Sequence, residues 1–148
     1  MLFELTTNFI NSPIDDWIKH GNSSYFYEMK FMTWQDARDF CSKKNAHLVD
    51  IDNIEENEFL LELVEHKTGQ FWIVPFWIAL NDIEREGTFV TSDGSKPKFF
   101  NWISDGPDAG ADVSDCTHVA VYESGSKNWD DEPCSDQKPF VCEKSHGE

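Results

Sequence analysis

Apolar residues recur at helical spacing twice in the first half of the chain, then give way to short continuous runs. Ala37, Phe40 and Cys41 fall on one face of a helix whose start is marked by Thr33, with Asp36 three residues on to reach back to the cap. Lys43, Lys44 and Asn45 suit the C-terminal end of that helix. A second helix begins at Asn53. Glu55 and Glu56 occupy its first turn, where the helix dipole favours negative charge; Phe59, Leu60, Leu63 and Val64 form its apolar stripe, and Gly69 stops it. Upstream, strand-like Trp17-Ile18 and Tyr25-Phe26-Tyr27 flank the turn residues His20-Gly21-Asn22, which predicts a hairpin from Asp15 to Tyr27. Leu48-Val49 opens a short extended stretch between the helices. Beyond Gly69 the run Phe76-Trp77-Ile78-Ala79-Leu80 suits a buried strand. Thr88-Phe89-Val90, Thr117 to Tyr122 and Phe140-Val141-Cys142 are further strand candidates. Ile103 to Asp115 is rich in Asp, Gly, Ser and Pro, and loops of that length usually carry function. Two helices followed by strands and a long loop predict an α+β domain.

Composition narrows what such a domain does. The 148 residues include six Trp and twelve Phe, ample for one packed core. A formal charge of −16 repels nucleic-acid phosphates and anionic membranes and favours cations. No run approaches the roughly 18 apolar residues that span a bilayer, so membrane insertion is not expected. Four cysteines with no CxxC pair point to a secreted or extracellular protein whose leader is not part of this chain, and Asn22-Ser23-Ser24 is a glycosylation sequon. Cysteine count alone leaves three disulfide connectivities open. The five histidines have no zinc spacing, and neither a GxSxG elbow nor a P-loop occurs, so no enzyme activity is expected.

Trp77-Ile78-Ala79-Leu80, followed in order by Trp102, Pro107, Cys116, Trp129, Cys134 and Cys142, resembles the C-type-lectin-like domain family. Ala79 stands where the family has Gly. The resemblance runs from about Asp15 to Lys144 and implies a C-type-lectin-like fold, two helices packed on small antiparallel sheets with a long loop region. It places an N-terminal arm at 1–13, the domain at 14–145 and a tail at 146–148. It also implies the pairs Cys41–Cys142 and Cys116–Cys134, each contributing roughly 2–4 kcal/mol. Ser12-Pro13 and Ser24-Tyr25 occupy places resembling the family's Cys-Pro and Cys-Tyr, so the hairpin is expected without its disulfide, with ends that fray. Pro107 resembles the family's cis-proline, and Trp77, Trp102 and Trp129 resemble its structural tryptophans.

The same resemblance implies a calcium site in which carboxylates hold the metal and also contact sugar hydroxyls. Calcium takes about six to eight oxygens. Gly106-Pro107-Asp108 matches the family's loop triplet, Ser114 stands where a Glu is usual, and Trp129-Asp130-Asp131 matches its Trp-Asn-Asp. Asp108, Asp130 and Asp131 are therefore the expected carbohydrate contacts, and with Ser114 the expected metal ligands. Gly106 and Ser114 remove two ligands, while three negative charges remain. Asp105 or Asp112 could complete the shell. Asp82, Glu86 and Asp115 match a second family calcium site, ranked below the first, in which Ala109 replaces a common Asp. Against both sites stands the ordinary use of loop Asp residues as solvated turn formers. The expected function is a calcium-dependent lectin module for a glycan or glycoprotein ligand, with galactose-type sugars favoured by Asp108. The alternatives are a calcium-independent module for a protein ligand, or an ice- or mineral-binding protein.

Overall fold

The computed structural model describes residues 17–69, 74–104, 106–107, 114–122 and 125–146. In chain order the elements are β1 (Ile18–His20), β2 (Ser23–Met32), α1 (Trp34–Lys43), β3 (His47–Leu48), α2 (Ile54–Thr68), β4 (Phe76–Asn81), β5 (Cys116–Val121), β6 (Lys127–Glu132) and β7 (Lys138–Ser145). Both helices start where their caps lie. The Thr33 side chain accepts from the Asp36 N–H, and the Asn53 side chain accepts from the Glu56 N–H. Gly69 ends α2 in the left-handed region at φ 70°, the conformation that glycine takes without steric cost.

The strands form one seven-stranded sheet in the order β1-β2-β7-β4-β5-β6, with β3 beside β7. The antiparallel units expected from the sequence are continuous here, because β4 meets β7 in parallel at Trp77 and Phe140. The C-terminal strand thus lies between the first and second halves of the chain. Cys41–Cys142 fastens α1 to that strand, and Cys116–Cys134 links the start of β5 to the turn after β6.

The unbroken apolar run of β4 has a simple cause: both of its faces are covered. Phe76, Ile78 and Leu80 pack with Phe59, Leu60, Leu63 and Val64 of α2 and with Val119, Trp129 and Val141. Trp77 and Ala79 face the other way, into a cluster with Trp34, Ala37 and Cys41 of α1 and with Leu48 and Phe140. The buried tryptophans also satisfy their N–H groups: Trp34 donates to the Ile78 carbonyl, Trp77 to that of Met32, and Trp129 to the Asn57 side chain.

Two strand expectations change. Thr88-Phe89-Val90 is not a strand; Val90 alone bridges Asn81, and Phe89 turns to pack edge-on against Trp102. Gly87, at φ 87°, and the turn before it break the extension. Conversely, β6 was not among the expected strands. Its sequence, Lys-Asn-Trp-Asp-Asp-Glu, has low strand propensity. Its ladder with β5 runs from Cys116–Glu132 to Val121–Lys127. It is also pinned by Ile103 N–H to the Trp129 carbonyl and by Trp129 N–H to the Asn101 carbonyl. Residues 1–16, which include the arm, Ser12-Pro13 and the first residues of the hairpin, lie outside the described residues.

Candidate calcium and ligand site

The C-terminal end of β4 and the N-terminal end of β5 meet at one corner of the sheet, where Asn81 pairs with Cys116. The next residue out on one strand is Asp82 and on the other Asp115, and the Asp82 N–H donates to the Asp115 carbonyl at 3.0 Å. Main-chain pairing therefore forces two carboxylates together. Asp82 is only 2% exposed. Its Oδ2 accepts from the Gly87 N–H at 2.8 Å, which curls the 82–87 turn back over the pair. That curl brings Glu86 in, so Asp82, Glu86 and Asp115 each offer an oxygen within 4.8 Å of the others.

The electrostatics of this corner are unbalanced. Among the described residues, Oδ1 of Asp82 and Oδ1 of Asp115 are buried and accept no hydrogen bond. Burial pushes the Asp82 carboxyl above its ordinary range. The Gly87 N–H opposes that rise, while the neighbouring Asp115 carboxyl and the charge of Asp131 add to it. A buried carboxylate oxygen without a donor is costly to leave unpaired, and a cation held between Asp82 and Asp115 would satisfy both Oδ1 atoms. The donors are all carboxylate oxygens, hard ligands that suit calcium better than a softer metal.

The loop site is built differently. The Gly106–Pro107 peptide is cis. A Cβ on Gly106 would stand 2.9 Å from Ile103 Cγ2 and 3.5 Å from Asp130 Oδ1, so this backbone closes directly over Asp130. Asp130 Oδ1 accepts from the Asp131 N–H at 3.0 Å. Burial, reinforced by the Asp131 carboxyl, raises Asp130 to about 6. Asp131 is buried next to it on β6, and Ser114 is buried beside Asp115. Asp108, with Asp105, Ala109 and Asp112, lies outside the described residues. Of the expected ligand residues that are described, Asp82, Glu86 and Asp115 of the second site converge, and Asp130 joins no group of three. The three tryptophans are structural in placement: Trp77 and Trp129 are buried, and Trp102 packs against the core from the side.

A second cluster had no counterpart among the residues singled out from sequence. His47, Asp50 and Glu143 also bring ligand atoms within 4.8 Å. Here the oxygens are already used. Glu143 accepts from the Ser23 hydroxyl at 2.7 Å and the Asp50 N–H at 3.0 Å, and Asp50 accepts from the Ser92 N–H at 2.9 Å and from the Ser92 hydroxyl. The cluster joins β2, β7 and two loops and reads as a structural knot. Its partners are up to 120 residues apart, a pairing that sequence spacing does not reveal.

The sequence model of the Lectin C-type domain matches residues 30–144. Lectin BRA-3 of Megabalanus rosa is 31% identical over 145 residues, covering 96% of this chain and 84% of that protein. The low affinity immunoglobulin epsilon Fc receptor of Mus musculus is 32% identical over 130 residues, and the chain spans only 36% of its length. Among solved structures, the carbohydrate-recognition domain of the mouse scavenger receptor C-type lectin superposes with a TM-score of 0.74. It is 29% identical, covering 89% of this chain and 95% of that one.

Proposed function

The chain belongs to the Lectin C-type domain family, and from that premise we propose that it is a calcium-dependent carbohydrate-binding module that works outside the cell. The observation that carries this reading is the corner formed by Asp82, Glu86 and Asp115, with two buried carboxylate oxygens that lack donors. A calcium ion held there would supply positive charge beside Asp82, whose carboxyl burial and the neighbouring Asp115 push up. It also couples the 82–87 turn to the stem of the loop that leads into β5. Asp108, Asp130 and Asp131 are the proposed sugar contacts, with galactose-type hydroxyls favoured over mannose-type ones by Asp108. The lectin identity of the Megabalanus rosa relative and the carbohydrate-recognition domain of the mouse receptor support the ligand class.

A glycan array, run in about 1 mM calcium and again in chelator, tests this; millimolar calcium is in the working range of extracellular modules. We expect binding to terminal galactose-type glycans that chelator abolishes and that Asp130→Ala removes. Binding unaffected by chelator, or no glycan binding at all, contradicts it.

One observation favours a second reading. Gly106 and Ser114 withhold two side chains that the family uses for metal and sugar, and the backbone at Gly106 already fills the space next to Asp130. A calcium-independent protein ligand needs neither contact, and the Mus musculus relative is by name a receptor for the immunoglobulin epsilon Fc portion. Chelator-insensitive binding to a protein, with no glycan signal, selects that alternative.

A further inference from the structure

The surface of this molecule is overwhelmingly acidic, with 28 Asp and Glu against 12 Lys and Arg. One groove departs from that pattern. A cleft of about 550 Å³ runs beside the 87–102 segment and is lined by Phe89, Phe100, Trp102, Pro97, Pro107 and Lys96, with glycine backbone on its rim. Among the described residues its lining contains no carboxylate, and Lys96 is its one charged side chain. Phe100 is 49% exposed, one of two Phe side chains left exposed among the described residues. Its ring stacks near-parallel on Trp102, with 6.2 Å between centroids, while Phe89 meets the same indole edge-on at 5.0 Å. The indole is therefore held in place from two sides, and the groove presents a preformed aromatic floor. Gly87 and Gly94 face it with open space where side chains would stand, which lets a ligand approach the backbone closely. Among the described residues the Lys96 ammonium has no ion-pair partner within the protein.

Among the described residues the groove offers an apolar floor with one cation, Lys96, at its edge, and that pairing selects a specific ligand chemistry. We propose that this groove binds a soluble anionic amphiphile, its apolar body lying over Phe89, Phe100 and Trp102 and its sulfate, sulfonate, carboxylate or phosphate head paired with Lys96. The groove adjoins the Asp82–Glu86–Asp115 corner through Gly87 but uses none of its carboxylates, so it needs no calcium. The net charge of the whole molecule disfavours purely anionic ligands, and purely apolar ones gain nothing from Lys96. The combination satisfies both features of the groove.

The test uses the whole chain, with chelator present throughout, so that its outcome is independent of the lectin reading. 1-Anilinonaphthalene-8-sulfonate is titrated by fluorescence and by the NMR shift of the Trp102 indole N–H, alongside the uncharged analogue N-phenyl-1-naphthylamine. We expect one saturable site. Phe100→Ser should weaken both probes about tenfold, from the loss of aromatic area. Lys96→Glu should weaken the sulfonate about fivefold or more and change the uncharged probe less than about twofold, the difference being the Coulomb contribution alone. Phe100 and Lys96 are both exposed, so neither change removes core packing. The proposal is overturned if the sulfonate fails to bind, if it binds without shifting the Trp102 resonance, or if Lys96→Glu affects both probes equally.

Discussion

At the scale of single residues, the most informative position is Gly106. A lectin of this family ordinarily places a metal-binding side chain there, and restoring one is the obvious way to strengthen a reduced site. The packing opposes it: the Cβ of any other residue meets the Ile103 methyl at 2.9 Å and the Ile103 carbonyl at 3.2 Å. The first is closer than real Cβ atoms come, and the second, to backbone, is tighter than most, so Ile103 must shift. Gly106→Ala is therefore expected to lower stability by about 1–3 kcal/mol, the usual cost of overpacking, and Gly106→Glu should fail to raise calcium affinity. Urea denaturation together with calcium titration of both variants checks this. An alanine variant as stable as the parent would show that Ile103 yields freely. Asp82 shows the opposite case: it is read from sequence as a ligand of the lesser site, yet main-chain pairing makes it a fixed member of the tightest acidic group of that corner.

At the scale of elements, cap chemistry and periodicity were legible because they are local. Thr33, Asn53 and Gly69 mark the ends of α1 and α2, and the α2 stripe of Phe59, Leu60, Leu63 and Val64 is buried throughout. Element β6 was not legible, because its strand conformation is imposed by β5 and by the 101–103 segment against its own propensity. The knot around Glu143 on β7 was hidden for the same reason, since its partners come from β2 and from the loop after β3. It carries a pH signature. Burial raises Glu143 to about 7, outweighing the Ser23 hydroxyl and the Asp50 N–H that favour its charged form. A carboxyl whose folded value exceeds its unfolded value of about 4.5 stabilises the fold most when protonated in both states. That contribution is complete below about pH 4.5 and is lost as the pH rises through about 7, a change on the order of 2–3 kcal/mol. We expect the chelated protein to gain stability as pH falls from 8 to 5, and Glu143→Gln to flatten that slope. Thermal melts across this range give the answer, and an unchanged slope in the variant would show that Glu143 is not the group responsible.

At the scale of the whole molecule, the ordered set of tryptophans, prolines and cysteines was sufficient to identify the family, and both disulfides join the residues that the resemblance implies. What that set did not convey is which acidic residues converge. Asp82, Glu86 and Asp115 converge in the fold, while Asp108 of the loop triplet lies outside the described residues. Motif matching takes residues one at a time, while the convergence of the corner is enforced by the Asn81–Cys116 pairing and the Asp82–Asp115 backbone bond. A chain with a net charge of −16 also places many carboxylates near one another without purpose, so counting them in the sequence separates no site from the background. The separating feature is the pair of buried oxygens without donors, visible only once the fold is known.

Calorimetric melting of the intact protein at pH 7.5, in about 1 mM calcium and in chelator, interrogates that pair of oxygens directly. Calcium at several times its dissociation constant should raise the melting temperature by about 3–6 °C. Asp82→Asn keeps the acceptor for the Gly87 N–H and removes one charge, so it should abolish the shift while melting no lower than the parent in chelator. Identical melting of the parent protein in calcium and in chelator would mean that the corner holds no calcium, and the calcium-dependent function would fall with it.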